Sequence, residues 1–404
     1  MATITEALPE IDALDQIRAL ESQYLLQNYA RYPLALHHGR GCYVYDLSGK
    51  RYLDLLTGIG VNSLGHSHPR LVKAIRQQSA LLLHTSNLYY HEYQGRLAER
   101  LSKVSGLQRT FFCNSGAESM EGALKMIRAH GRKIDPEKYE IIALHNSFHG
   151  RTLGALSITG QEKYRRDFEP LLAGAKFVPA NDIVALEQVF CEKTSGIVME
   201  WIQGEGGINP MTTEYARKAR ELADRYDALL VFDEIQCGVG RPGTYFSYQL
   251  TEPWIMPDVM VAAKPLACGI PLGFIAANER AAVAIGPGMH GSTFGGGPLA
   301  CAALEATVDV IRDERLLENV RENSEYLLAE LKKMVKLVEE ARGLGYLIGI
   351  KFPSGTAKSV QHSLLEKKII TGLSDDPDVL RLLPPLTLRR QEIDLFLDEL
   401  SKVE

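Results

Sequence analysis

The sequence predicts an α/β protein: a large domain around a mainly parallel central sheet, followed by a smaller α+β domain. Three observations predict it. Short apolar runs rich in β-branched and aromatic residues recur at 110–113 (TFFC), 139–145 (YEIIALH), 195–201 (SGIVMEW), 228–234 (ALLVFDE), 258–263 (DVMVAA) and 274–278 (FIAAN). Each ends in polar or glycine-rich sequence, and most lead into helical periodicity, as expected of strands covered on both faces. After about Pro298 the texture changes to long amphipathic helices.

In chain order, the first ~45 residues hold a helical start and then a hairpin, GCYVYDLSGKRYLDL, in which Asp46, Ser48 and Gly49 supply turn chemistry. Residues 118–129 and 213–225 read as helices between strands, because their apolar residues recur at three- and four-residue spacings. Further on come a helix at 316–335, a strand GYLIGIKF (345–352), a helix near 358–368, and a last strand and helix, VLRLLPPL and QEIDLFLDELSKV. The expected boundaries are 1–58 for an N-terminal segment packing with the small domain, 59–297 for the large domain and 298–404 for the small one.

Composition narrows the function. A 404-residue chain with 45 Lys+Arg against 50 Asp+Glu carries a formal charge of −5. It shows no concentrated basic face of the kind that nucleic acid or a membrane surface requires. The closest two of the six cysteines, Cys237 and Cys268, are 31 residues apart, so no C-x-x-C pair exists for zinc or redox work. Free thiols fit a reducing cytoplasm. The opening MATITEALPEIDALDQ lacks a basic region followed by an apolar core, so no secretory signal is expected. The 19-residue run 259–277 is apolar apart from one lysine, but its two prolines, two glycines and central charge argue against a membrane span.

In an open parallel sheet ligands bind beyond the carboxyl ends of the strands. Those ends hold Ser115, Gly116 and Ala117, then Phe148 and His149, then Asp233 and Gln236, then Lys264. Lys264 sits in apolar sequence, where desolvation lowers an amine's pKa and leaves it a nucleophile able to condense with an aldehyde. A lysine whose ammonium reaches solvent is the other reading. Asp233 ends a run that would be buried on both faces, so it needs a cationic or hydrogen-bonding partner; a pyridinium N–H, an ion pair and a metal would each serve. Ser115-Gly116-Ala117 opens a helix, and is either an anion cradle or an ordinary cap. The pattern Gly238-x-Gly240-x-x-Gly243 meets a dinucleotide fingerprint on paper, but Pro242 interrupts it and no convincing helix follows. His145 and His149 have the spacing of a metal pair, yet Asn146, Ser147 and Gly150 are turn formers.

The motifs NSGAES (114–119), NSFHGRT (146–152), QGEGG (203–207), LLVFDEIQCGVGRPG (229–243), Lys264 with GIPLG (269–273), HGSTFGGGPLA (290–300) and RLLPPL (381–386) are similar to those of the class III aminotransferases, pyridoxal-phosphate enzymes of fold type I. The resemblance runs in order over nearly the whole chain, including NSLGHSHP (62–69) and the region of Tyr29. Acetylornithine aminotransferases of arginine biosynthesis are the nearest subgroup. It implies that Lys264 carries pyridoxal 5′-phosphate and shuttles a proton. Asp233 would hold the pyridine nitrogen, Gln236 the phenolic oxygen and Phe148 the ring face, with His149 beside it. Ser115, Gly116 and Ala117 would cradle the phosphate, which Thr293 would reach from the neighbouring subunit of a homodimer. Arg151 would bind a substrate carboxylate, and Arg381 that of glutamate or 2-oxoglutarate, with Glu205 as its movable cover. Tyr29 and Ser292 would assist at the substrate.

The activity so implied moves the terminal amino group of N2-acetylornithine to 2-oxoglutarate. Sibling ω-aminotransferases acting on ornithine, succinylornithine, 4-aminobutyrate or a carrier-linked lysine precursor differ only in the substrate tail. An aminomutase of the same fold would need no second carboxylate substrate, and a non-catalytic cofactor-binding protein would not need the full set Lys264, Asp233 and Gln236. The sequence departs from the family twice. Pro265-Leu266-Ala267-Cys268 replaces a glycine-rich stretch and is expected to stiffen the loop and bring a thiol near the cofactor, and Trp201 follows Glu200 where relatives have proline.

Overall fold

The computed structural model describes residues 14–403, so most of the N-terminal stretch read for a signal lies outside the described residues. Seven strands form the central sheet: β1 (Arg109–Cys113), β2 (Glu140–Leu144), β3 (Ala175–Val178), β4 (Thr194–Met199), β5 (Leu229–Asp233), β6 (Val259–Ala262) and β7 (Gly273–Ala277). Their spatial order is β1-β7-β6-β5-β4-β2-β3. The pairs among β2 to β6 are parallel, and every residue of β4, β5 and β6 is buried. Strands covered on both faces read as continuous apolar runs, which is why the sequence reveals them.

Two strands depart from the sequence expectation. β7 runs antiparallel to both neighbours, β6 and β1. The connection over 263–272 is too short for the crossover of a dozen or more residues that a parallel return needs, so the chain must reverse. β3, AKFV, lies at the sheet edge with alternating burial, and its short half-polar pattern carries no continuous apolar signal.

The helix Gly116–Ile134 lies across β4, β6 and β7 and begins two residues before the expected start. Its cap is Ser115, whose hydroxyl accepts the Glu118 N–H at 3.2 Å. Thr213–Arg225 forms a helix over the expected span, capped by the Thr212 hydroxyl at the Tyr215 N–H, and packs on β4 and β5. The run 259–277 is divided into β6, a turn and β7, and among the described residues no helix is long and apolar enough to cross a membrane. The 238–243 glycine pattern forms a turn, with Gly240 at φ 91° and Gly243 at φ 87°.

The N-terminal hairpin pairs Tyr43–Asp46 with Arg51–Asp54; Asp46 Oδ1 accepts the N–H groups of Ser48 and Lys50, both at 2.9 Å. Arg51–Asp54 also pairs in parallel with Ile369–Ile370, so this hairpin and a C-terminal strand share one sheet. A second small sheet contains Glu340–Leu344, Leu347–Lys351, Val379–Leu382 and Gly372–Leu373. The first of these, EARGL, is too polar to read as a strand. Pro298–Asp313, Leu316–Lys333, Ala357–Glu366 and Arg390–Ser401 are the helices of this C-terminal part.

Candidate active site

The loops beyond the carboxyl ends of β1, β2, β4, β5 and β6 converge on one cavity of about 420 Å³. Lys264 lies in its wall, directly past β6, and opens the tight turn Lys264–Ala267. Burial lowers its pKa; Glu205, Asp233 and Glu200 oppose that effect, and the Arg381 charge adds to it. A depressed pKa enlarges the fraction of neutral, nucleophilic amine.

The loop after Lys264 is pinned to residues 63–64. The Ser63 hydroxyl donates to the Pro265 carbonyl at 2.9 Å, and the Cys268 Sγ lies 2.9 Å from the Ser63 Oγ. Cys268 has φ 44°, a left-handed backbone that glycine adopts more readily. Its thiol faces Ser63 and not the cavity, because that turn directs the side chain toward the 63–64 backbone; the expected thiol near the cofactor is thus corrected. Trp201 is buried against Phe232, with ring centroids 5.6 Å apart.

Asp233, 4% exposed, ends β5 with its carboxylate toward the cavity. Its Oδ2 lies 2.8 Å from His149 Nδ1 and its Oδ1 accepts the Ile235 N–H at 2.9 Å. A carboxylate only accepts, so this contact is a hydrogen bond to it in the tautomer that carries the imidazole proton on Nδ1. His149 therefore serves Asp233, and His145 packs beside Phe177, with ring centroids 6.0 Å apart.

A second buried acid, Glu200, also lines the cavity and was not singled out from the sequence. Its Oε2 accepts the Phe148 N–H at 3.1 Å. Burial, reinforced by the negative charge of Asp233, pushes its pKa well above the usual carboxylate range. The signal was available: like Asp233, it is an acid at the end of a fully buried strand.

At the other end of the cavity lies the N-terminus of the helix Gly116–Ile134, with Ser115, Gly116 and Ala117 in the wall. A Cβ on Gly116 would sit 2.8 Å from the Ile235 side chain, so glycine keeps this cradle open. A helix N-terminus presents unpaired N–H groups and partial positive charge to an anion. Asn114 extends the rim; its amide donates to Glu118 at 2.9 Å and to the Ser292 hydroxyl at 3.1 Å.

The substrate side carries Arg151 and Glu205 in the cavity wall. Arg381, 4% exposed, stands behind Glu205 and donates to its Oε1 at 2.6 Å and to the Gly204 carbonyl at 3.1 Å. Gln236 lies in the wall beside them, its Oε1 3.5 Å from Arg381 Nη1. Four residues named from the sequence lie outside the cavity wall: Arg381, behind Glu205; Ser292, whose hydroxyl accepts from the Asn114 amide; and Tyr29 and Thr293. Tyr29 is 73% exposed and faces a separate hollow near the N-terminal helix, and Thr293 is exposed beside Phe294.

The donor set fits pyridoxal 5′-phosphate: an amine for its aldehyde, a carboxylate for its ring nitrogen, a helix N-terminus for its phosphate, and the Phe148 ring in the same wall for its face. The Gly116 cradle and the Asp233 carboxylate, backed by His149, are the observations that carry this fit.

Residues 24–403 match the sequence profile of the family Aminotransferase class-III. The chain is 44% identical over 388 residues to an acetylornithine aminotransferase of Methanocaldococcus jannaschii, covering 95% of this chain and 96% of that protein. It is 45% identical over 387 residues to one from Caldanaerobacter subterraneus, covering 95% and 98%. Among solved structures, the ornithine aminotransferase of Toxoplasma gondii superposes with a TM-score of 0.92 at 30% identity, over 98% of this chain and 95% of that one. The acetylornithine aminotransferase of Elizabethkingia anophelis gives 0.85 at 28% identity, over 96% and 98%. With a family match over almost its whole length and relatives above 40% identity, the chain belongs to the class III aminotransferases and is a transaminase dependent on pyridoxal phosphate.

Proposed function

We propose that this transaminase takes the terminal amino group of N2-acetylornithine and passes it to 2-oxoglutarate, yielding N-acetylglutamate 5-semialdehyde and glutamate. The observation that carries the reading is the pairing of Arg381 with Glu205 at 2.6 Å, at a cavity that also presents Arg151. One site must admit two substrates with different tails, and a cation that can be covered or uncovered meets that demand. The acetylornithine aminotransferases at 44% and 45% identity support the choice of donor.

Bound in this cavity, pyridoxal phosphate supplies an aldehyde that takes up the amine and a ring that accepts electrons. Lys264 Nζ would hold that aldehyde, and its amine would carry a proton to and from the substrate carbon. Asp233, supported by His149, would hold the ring nitrogen in its protonated form. Ser115, Gly116 and Ala117 would hold the phosphate, Phe148 would cover the ring and Gln236 would serve its phenolic oxygen. Arg151 grips the carboxylate of the amine donor by the forked pairing that suits guanidinium and carboxylate. Arg381 grips that of 2-oxoglutarate once Glu205 swings aside, with Tyr29 and Ser292 assisting.

Thr293, exposed in one protomer, contributes to the phosphate site of a second copy in this reading. The exposed apolar residues Leu81, Leu83, Leu88, Tyr90 and Phe294 support a homodimer, because a monomer rarely leaves so much apolar surface in water.

A panel of amine donors mixed with the yellow holoenzyme tests the reading. Rapid loss of the visible band with N2-acetylornithine, but not with ornithine or 4-aminobutyrate, is the expected result. A flat response to acetylornithine overturns it, and borohydride reduction that labels a residue other than Lys264 overturns the assignment of the amine.

A further inference from the structure

The Arg151 guanidinium lies 3.9 Å from the ring centre of Tyr164 and 5.2 Å from that of Phe148. The two rings meet edge to face, with centroids 6.1 Å apart. Arg151 itself is exposed and rests on these rings, so they, and not an ion pair, hold its plane. Tyr164 is in turn tied down: its phenol donates to Asp375 Oδ1 at 2.9 Å, and Lys163 Nζ reaches the same oxygen at 2.6 Å. The backbone N–H of Asp375 donates to the Glu205 carbonyl at 2.8 Å, and the Glu205 side chain holds Arg381. One residue, in the loop before the strand Val379–Leu382, therefore touches the support of both substrate-facing arginines. Neither Tyr164 nor Asp375 is in the cavity wall, so any effect on substrate is exerted through others.

The physical consequence concerns order. An exposed arginine has many rotamers and loses that freedom when it grips a carboxylate; stacking on an aromatic face removes much of the loss beforehand. We propose that Tyr164, braced by Asp375, is the positioning residue that aims Arg151 at the carboxylate of the amine donor, and that Asp375 links this arginine to the Glu205–Arg381 pair. The proposal rests on the donor reading given above. The selectivity so conferred acts only on amines that carry the carboxylate.

N2-acetylornithine and N-acetyl-1,4-diaminobutane make the test, since they share the reacting amine and the acetyl group and differ only in that carboxylate. KM and kcat for both, with 2-oxoglutarate as acceptor, are measured on the holoenzyme of the parent, Tyr164→Leu and Tyr164→Phe. Removing the ring is expected to raise KM for acetylornithine about tenfold with little change in kcat, and to leave KM for the diamine as it was. Tyr164→Phe keeps the platform and loses only the tie to Asp375, so its KM for acetylornithine is expected between the other two; its unchanged visible absorbance and near-ultraviolet circular dichroism confirm an intact site. Equal KM changes for both amines, or none for either, overturn the inference alone. A parent enzyme that does not prefer acetylornithine to the diamine overturns the donor reading and the inference with it.

Discussion

Arg381 Nη1 and Glu205 Oε1 stand 2.6 Å apart, although 176 residues separate them in the chain. Burial by itself would raise the Glu205 pKa, but the charge and hydrogen bond of Arg381 outweigh it and hold the carboxyl below its ordinary value. A buried arginine stripped of its carboxylate is costly until another carboxylate arrives, which is the property a site for 2-oxoglutarate needs.

Replacing Glu205 with alanine therefore leaves Arg381 uncovered in both halves of the reaction. Stopped-flow measurement of each half separately should show the acetylornithine half slowed about tenfold and the glutamate half preserved or faster, a difference of roughly 1.4 kcal/mol. Equal losses in both halves would show that Glu205 is not a selective cover.

Asp233 has two donors, His149 and the Ile235 N–H, and only a carboxylate can also keep a ring nitrogen protonated. Asp233→Asn should lower kcat about 100-fold or more, as expected for loss of a preorganised electrostatic group. His149→Phe should cost less, because the Ile235 donor remains. Cofactor retention by both variants, read from absorbance at matched protein concentration, separates this effect from loss of binding.

Burial pushes the Glu234 carboxyl up to about 8, although Ser247 donates to it from its N–H at 2.7 Å and from its hydroxyl at 2.9 Å. An unfolded glutamate titrates near ~4.3, so between that value and about 8 the folded chain binds the extra proton. Its contribution is complete below the lower value and is lost as pH rises through the upper one. Glu234→Gln stays neutral and can keep both partners, so its Tm should match the parent at pH 5 and exceed it increasingly toward pH 9. Parallel melting curves across that range would refute the assignment.

Arg241 is fully buried and donates to the carbonyls of Pro384 at 2.9 Å, Tyr346 at 3.1 Å and Gly60 at 3.2 Å. Burial lowers its pKa to about 10, and carbonyl dipoles from three segments take the place of a counter-ion. Arg241→Met strands those carbonyls, each worth about 1–3 kcal/mol when left unpaired. Urea unfolding should show a loss of about 3 kcal/mol or more, with Arg241→Lys intermediate. A neutral substitution would mean that water replaces the guanidinium.

The strands β2, β4, β5 and β6 were legible because strands buried on both faces are written mostly in apolar residues, and β1 because its two phenylalanines mark it although its first residue is exposed. The groups that close those runs were legible for the same reason, since Ser115, Asp233 and Lys264 are polar where the run stops. Glu200 carries the same mark, an acid at the end of a buried strand. Tyr164 and Asp375 had no mark: each lies in surface sequence, and nothing local shows that Arg151 will rest on one and the Glu205 backbone on the other.

By itself, then, the chain's order of residues determined which chemical groups gather at one edge of the sheet, because parallel strands all deliver their carboxyl ends to the same side. The tertiary structure alone decided which of those groups face one another: His149 against Asp233 across 84 residues, and Arg381 against Glu205 across 176. It also set the turning of the Cys268 thiol away from the cavity. Such pairings depend on how separate segments pack and on distances of a few ångströms, which no local periodicity encodes.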